Sequence, residues 1–154
     1  MDIEIREARS HNMPAVAGLR WSWVVVDQGG EPVLSRAEFV QGYVDWATAN
    51  RATHRCWVAL ARDEIVGMAW LAIYPRVPSP RSPHRRTGDV QSVYVVPEMR
   101  GQGIGRSLLD VLLAEAASAD VERVTVHSSE TAVPLYMRAG FASTTRLMDV
   151  AFGS

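Results

Sequence analysis

Ser92-Val93-Tyr94-Val95-Val96-Pro97-Glu98-Met99-Arg100-Gly101-Gln102-Gly103-Ile104-Gly105-Arg106 is the stretch from which the rest of the chain can be read. Its apolar, β-branched run ends at Pro97, glycines follow at 101, 103 and 105, and a helical pattern opens with Ser107-Leu108-Leu109. That order predicts a strand, a tight turn and a helix. Glycine lacks Cβ, so backbone N–H groups in such a turn stay open to a ligand. The first helical turn adds N–H groups without intrahelical partners and the positive end of the helix dipole. Together they describe a site for phosphate or pyrophosphate.

The identity of that phosphate ligand follows from spacing. A P-loop requires lysine after its glycines, and this chain has no lysine. A dinucleotide fingerprint requires a third glycine three positions after the second, whereas Gly103 is followed by Gly105 and Arg106. What remains is Arg100-x-x-Gly103-x-Gly105 after a Val-rich strand and a proline. This resembles the acyl-CoA-binding signature of the GNAT superfamily of N-acyltransferases.

A second stretch carries the same resemblance. In Ser129-Glu130-Thr131-Ala132-Val133-Pro134-Leu135-Tyr136-Met137-Arg138-Ala139-Gly140-Phe141, the residues Ala132, Leu135, Tyr136, Gly140 and Phe141 fall in register with that family's downstream signature. Ser129 stands where the signature has asparagine. The similarity is strong from Asp89 to Phe141 and elsewhere rests on the order of elements.

Working outward, 154 residues suit one domain, 1–154, with its own core. Apolar content of 47% and charged content of 21% read as globular. A net charge near −1 supplies no basic field for nucleic acid. No apolar run reaches membrane-spanning length, and the opening Met1-Asp2-Ile3-Glu4-Ile5-Arg6 alternates like a strand rather than an export signal. Cytoplasmic residence is the default expectation. The lone Cys56 excludes an internal disulfide, and no His, Cys or carboxylate grouping has metal-ligand spacing, so no metal is expected.

Periodicity predicts a strand over 3–8, a helix from Met13 to about Trp23 with Pro14 in its first turn, and a Gly/Pro loop over 27–32. Ser35-Arg36-Ala37-Glu38 is a capping-box pattern for a second helix reaching about Asn50. Strands over 55–61 and 65–74 flank Arg62-Asp63-Glu64 as a hairpin. Four prolines between 75 and 88 predict an extended loop. Then come a central strand over 89–96, a helix over 103–119, a strand over 121–127, a short helix over 133–139 and a last strand over 144–152. The order β-α-α-β-β-β-α-β-α-β is that of the GNAT fold, an α/β (α+β) architecture. The resemblance therefore implies a mixed central sheet of six to seven strands with helices on both faces.

The resemblance also implies a chemistry, transfer of an acetyl group from acetyl-CoA to a primary amine of a small molecule or peptide. It implies that the pantetheine arm pairs with the backbone along Val93, Tyr94 and Val95. The pyrophosphate then rests on Gly101, Gln102, Gly103, Ile104, Gly105 and Arg106, with the Arg100 or Arg106 side chain adding charge. Ser129 can still meet the arm, with shorter reach than asparagine. Tyr136 takes the place of the general acid that protonates the departing thiolate. Asp89 is the first candidate base, acting through water; four residues before Val93, it should share that residue's face by alternation. His127 and Glu130 are the other candidates.

The acceptor pocket of that family draws on the first two helices, their loop and the loop before the central strand. Here those segments offer Trp21, Trp23, Asp27, Glu31 and the arginines 76, 81, 85 and 86. Cys56, in an apolar strand, reads as an inert core thiol. The alternative is a non-catalytic acyl-CoA-binding module, which the missing asparagine would suit. Homodimers occur in the family, and the last strand offers an edge to a second copy.

Overall fold

The computed structural model describes residues 2–153. Its elements are β1 (Ile3–Glu7), α1 (Met13–Trp21), α2 (Arg36–Ala49), β2 (His54–Ala61), β3 (Glu64–Pro75), β4 (Arg86–Val95), α3 (Ile104–Ser118), β5 (Val124–Val126) and α4 (Val133–Arg138). The five strands form one sheet in the order β1-β2-β3-β4-β5, antiparallel from β1 to β4 and parallel between β4 and β5.

Local chemistry accounts for most boundaries. Pro14 enters α1 in its first turn, where a missing N–H costs nothing. Ser35 Oγ accepts from Glu38 N–H (3.2 Å) and caps α2, a contact worth about 1 kcal/mol. Arg62 and Asp63 both take positive φ (50° and 66°), the conformation that joins two right-twisted strands in a two-residue hairpin. Gly103, at φ 80°, caps α3 in the left-handed region.

The sheet is covered on both faces, so β2 and β3 are nearly continuous apolar runs. Cys56, Val58, Leu60, Met68 and Trp70 face α1 and α2, together with Tyr94. Trp57, Ala59, Ala69 and Leu71 face α3 and α4, together with Val90, Leu108, Leu109, Leu112 and Tyr136. Gly67 permits this close approach: a Cβ there would lie 3.3 Å from Leu108 Cδ1.

Val90 and Tyr94 are four residues apart on one strand yet belong to opposite faces. A β-bulge is the cause. Trp70 lies opposite Gln91 and Met68 opposite Tyr94, leaving Ser92 and Val93 to oppose Ala69 alone. Ser92 absorbs the extra residue at φ 55°. Simple alternation therefore fails for Asp89 and Val93. Asp89 pairs with Ala72 on the α1/α2 side, whereas Val93 packs against the α3/α4 cluster.

Three further expectations are corrected. The expected strand over 144–152 is absent, so the sheet has five strands rather than six or seven. That segment is irregular and exposes Leu147, Met148, Val150 and Phe152. Three residues of β5 present about 10 Å of edge, too little to template a nine-residue strand. The Pro-rich segment is tied at its neck by Arg76 N–H to Arg85 O (2.9 Å), and β4 begins earlier than expected, at Arg86. Finally, α1 does not stop cleanly. It runs into a π-helical turn, Ser22–Asp27, marked by the i→i+5 bond from Gln28 N–H to Trp23 O (3.1 Å).

Candidate functional site: an amide cradle beside a half-open strand

The parallel pairing of β4 with β5 covers Gly88, Asp89 and Val90 only. Beyond Val90, β4 continues to Val95 with β3 on one side and no strand on the other. Val96 N–H donates to Val66 O (2.9 Å), so that pair and Tyr94–Met68 are the hydrogen-bonded pairs of this ladder. Val95, between them, carries its N–H and C=O away from β3 into the gap. Tyr94 spends its main-chain groups on β3 and sends its ring to the α1/α2 side.

The glycine turn opens at the end of this gap. Gly101 and Gly103 have φ of 78° and 80°, and a Cβ on either would meet nothing within 4 Å. The first helical bond of α3 runs from Ser107 N–H to Gly103 O (3.0 Å). Among the described residues, the N–H groups of Gly101, Gln102, Gly103, Ile104, Gly105 and Arg106 find no protein acceptor. A run of six unpaired amides at a helix N-terminus is what a diphosphate needs. The arginine side chains do not join this cradle. Arg106 pairs with Asp110 along the helix (2.8 Å), and Arg100 turns back so that its Nε donates to Val95 O (2.8 Å).

Tyr136 is buried on the α3/α4 side, with its ring edge-on to Phe141 at 5.5 Å. Leu135 beside it lies 3.5 Å from a Cβ built on Gly105, which ties α4 to the first turn of α3. Burial raises the Tyr136 pKa, so the phenol keeps its proton at neutral pH, as a general acid must. Its hydroxyl makes no hydrogen bond among the described residues. The side chain lines a groove of about 650 Å³ between β5, α4 and residues 142–147.

Asp89 lies where β4 and β5 are still paired. Its Oδ1 accepts from Thr125 Oγ1 (3.1 Å) and its Oδ2 from Gln91 Nε2 (3.0 Å). It shares a face with Tyr94 and is not brought to the face that holds Tyr136. His127 and Glu130 are exposed. Ser129 is exposed as well, with its Oγ 3.3 Å from Thr131 Oγ1. Arg85 is engaged with Glu122 (2.7 Å) and Arg86 with Ala119 O (2.9 Å), so both pin the Pro-rich loop.

On the α1/α2 side, sequence reasoning did not foresee a cluster around Tyr94. Trp23 stacks on its ring (5.3 Å, 20°), and its hydroxyl donates to Asp27 Oδ2 (2.5 Å). Burial first, and the Asp27 carboxylate second, push the Tyr94 pKa up to about 12. The sequence offered Trp23, at the end of the first helix, and Asp27, in the loop after it, only as acceptor-pocket candidates, with no tie to Tyr94. Trp21 turns the other way, onto Phe39 (5.9 Å), and lines an apolar hollow of about 220 Å³ with Val24, Val25, Pro32 and Leu34. Among the described residues no cluster of three or more His, Cys, Asp or Glu side chains could hold a metal ion. No helix there is long and apolar enough to cross a membrane.

Known proteins resemble this chain in sequence and in fold. The chain is 31% identical over 84 residues to the mycothiol acetyltransferase of Paenarthrobacter aurescens, an alignment covering 53% of this chain and 25% of that protein. It is 34% identical over 84 residues to the glucosamine 6-phosphate N-acetyltransferase of Trypanosoma brucei brucei, covering 54% of this chain and 55% of the relative. The alignments thus span about a quarter and about half of the lengths of these curated relatives. A predicted acetyltransferase of Clostridium acetobutylicum, solved with acetyl-CoA, superposes with a TM-score of 0.77 at 24% identity, over 97% of this chain and 96% of that one. The acetyltransferase (GNAT) family model matches residues 19–141, a span from the first helix through Gly140-Phe141. The chain belongs to the acetyltransferase (GNAT) family.

Proposed function

We propose that the protein transfers an acetyl group from acetyl-CoA to a primary amine of a small molecule or peptide, by direct attack in a ternary complex. One observation carries this reading: six consecutive unpaired amides, 101–106, adjoin a strand whose last residues have a free side. The C. acetobutylicum neighbour solved with acetyl-CoA, and the N-acetylation of an amino sugar phosphate named for the trypanosomal relative, support it.

When bound, acetyl-CoA supplies the activated acyl group. The chain's own residues would do the rest. Amides 101–106 hold the diphosphate. The open edge of β4 at Val93 and Val95 would receive the pantetheine arm as an added strand, with Ser129 at its flank. The Val95 N–H polarises the thioester carbonyl. Tyr136 donates its proton to the departing sulfur. Asp89, its oxygens already engaged by Thr125 and Gln91, would draw the amine's proton through water.

The test is calorimetric titration of the chain with acetyl-CoA, followed by an amine panel read by free thiol. Micromolar binding and amine-dependent thiol release are expected. Tight binding with no release for any amine would identify a non-catalytic acyl-CoA module instead, and absence of binding would overturn the reading.

A further inference from the structure

We infer that Arg100 is a donor-specificity residue, a side chain that lies across the pantetheine track and reserves it for thioesters carrying a diphosphate. The inference rests on the acetyl-CoA reading of the site. Val95 lies between two hydrogen-bonded pairs of the β3–β4 ladder, so its carbonyl turns away from β3. That carbonyl is not free: Arg100 Nε donates to it over 2.8 Å.

A strand added beside β4 would lie about 4.8 Å away and bring an amide N–H to about 2.9 Å from the oxygen it pairs with. The Nε–H of Arg100 already stands at that distance from Val95 O, so the arm's amide and the guanidinium contend for one place. The head group also reaches past the strand edge. Its Cζ rests 5.2 Å over the Tyr94 ring, and Nη2 lies 3.6 Å from Asp27 Oδ2, both on the α1/α2 side. The hold on Val95 is nonetheless a light one. It is a single bond to a neutral acceptor from a side chain that is 52% exposed. When Nε leaves, the charge keeps Asp27, the Tyr94 face and solvent, so eviction strands no buried cation.

The cost of eviction depends on what the incoming donor carries. Arg100 directly precedes the amides of residues 101–106, and the other arginine of this turn, Arg106, is committed to Asp110 (2.8 Å). A diphosphate seated on those amides brings negative charge beside the backbone of Arg100, and the attraction offsets the bond lost at Val95. A donor with the same arm and no phosphate meets the same obstacle without that offset. One guanidinium thus welcomes the diphosphate and bars the bare arm, and the site discriminates more sharply than the amides alone would.

The experiment titrates the full chain and Arg100→Met with coenzyme A and with pantetheine, which has the arm and thiol but no phosphate. Methionine keeps an unbranched stem against Tyr94 and has no N–H to offer Val95. Pantetheine should bind Arg100→Met about fivefold more tightly than the wild type, the gain expected when one hydrogen bond need not be broken. Coenzyme A should bind the variant no more tightly than the wild type, so the ratio of the two affinities narrows at least fivefold. Pantetheine affinity that is unchanged or lower in Arg100→Met overturns the inference and leaves the contact a staple of the turn. A gain for coenzyme A equal to that for pantetheine overturns it too, because the selectivity would then be untouched. A second reading needs no folded methionine variant. In the wild type, the NMR signal of Arg100 Nε–H, assigned through its loss in Arg100→Lys, should exchange with solvent at least tenfold faster on saturation with coenzyme A. Unaltered exchange overturns the inference. Coenzyme A that binds neither protein would sink the acetyl-CoA reading itself, an outcome distinct from bound coenzyme with pantetheine indifferent to residue 100.

Discussion

From Gly88 to Val90, β4 has a strand on each side; from Gln91 to Val95 only β3 remains. The paired half is saturated. Even the carboxylate of Asp89 is held at both oxygens, by Thr125 and Gln91. The open half is under-bonded. It carries a bulge at Ser92, a gap-facing Val95 whose carbonyl falls to an arginine, and then a turn with six free amides. A helix N-terminus always leaves amides without intrahelical partners, and here they adjoin the unpaired edge of β4. The contrast teaches that the fold completes its hydrogen bonding up to Val90 and then withholds it where the ligand is expected to complete the sheet.

The hardest test of that contrast is Gly103→Val. A β-branched residue at φ 80° strains the cap of α3 and places a side chain over the amides. Loss of about two charge-assisted hydrogen bonds should weaken acetyl-CoA binding about 100-fold, read by calorimetry with helicity checked by circular dichroism. Tyr136→Phe probes chemistry in place of binding. With the raised-pKa phenol gone, kcat should fall about 100-fold while acetyl-CoA affinity stays within a few-fold. An equal fall in both would turn Tyr136 into a packing residue.

Ser92→Val addresses the hinge between the halves. Serine already bears the left-handed cost at φ 55°, and the β-branch of valine should add about 1 kcal/mol, visible as a lower urea midpoint. A neutral result would mean that the strand can lose its bulge, and with it the distinction drawn here. The smallest effect belongs to the closed side of the sheet. Arg55 bonds Glu7 through two nitrogens (2.8 Å each) and holds the Glu7 pKa below its ordinary 4.5. Glu7→Gln should cost about 0.5–1 kcal/mol at neutral pH, since both partners are partly solvated. A depressed pKa stabilises above the unfolded value, so the gap between wild type and variant should close as pH falls through the lowered native value. Acid titration of both melting temperatures reads this directly, with no change in acetyl-CoA affinity.

What could be read in advance was local. The hairpin at Arg62-Asp63-Glu64, the Ser35 cap and the glycine turn are each specified within a few residues and each forms, the hairpin with Glu64 already paired in β3. The bulge was invisible because Ser92 carries no glycine signal; it follows from the fit of β4 against β3. Val121 to His127 was patterned for a full strand, but only Val124–Val126 pairs, because β4 leaves after Val90. The apolar residues between 147 and 152 allow a strand there but supply no neighbour to receive it. In the candidate site, the cradle was legible from Arg100 to Arg106, whereas Tyr94 and Asp27, 67 positions apart, meet only through the tertiary fold.

Cys56 lies sealed between the helices and the sheet, and burial lifts its pKa far from the reactive range. As the chain's sole sulfhydryl, it leaves the native protein silent to colorimetric disulfide reagents. Any colour that develops in an assay therefore counts liberated coenzyme alone, without a blocking step or a cysteine-free variant. Conversely, slow colour from protein by itself would be a direct gauge of how often the molecule opens.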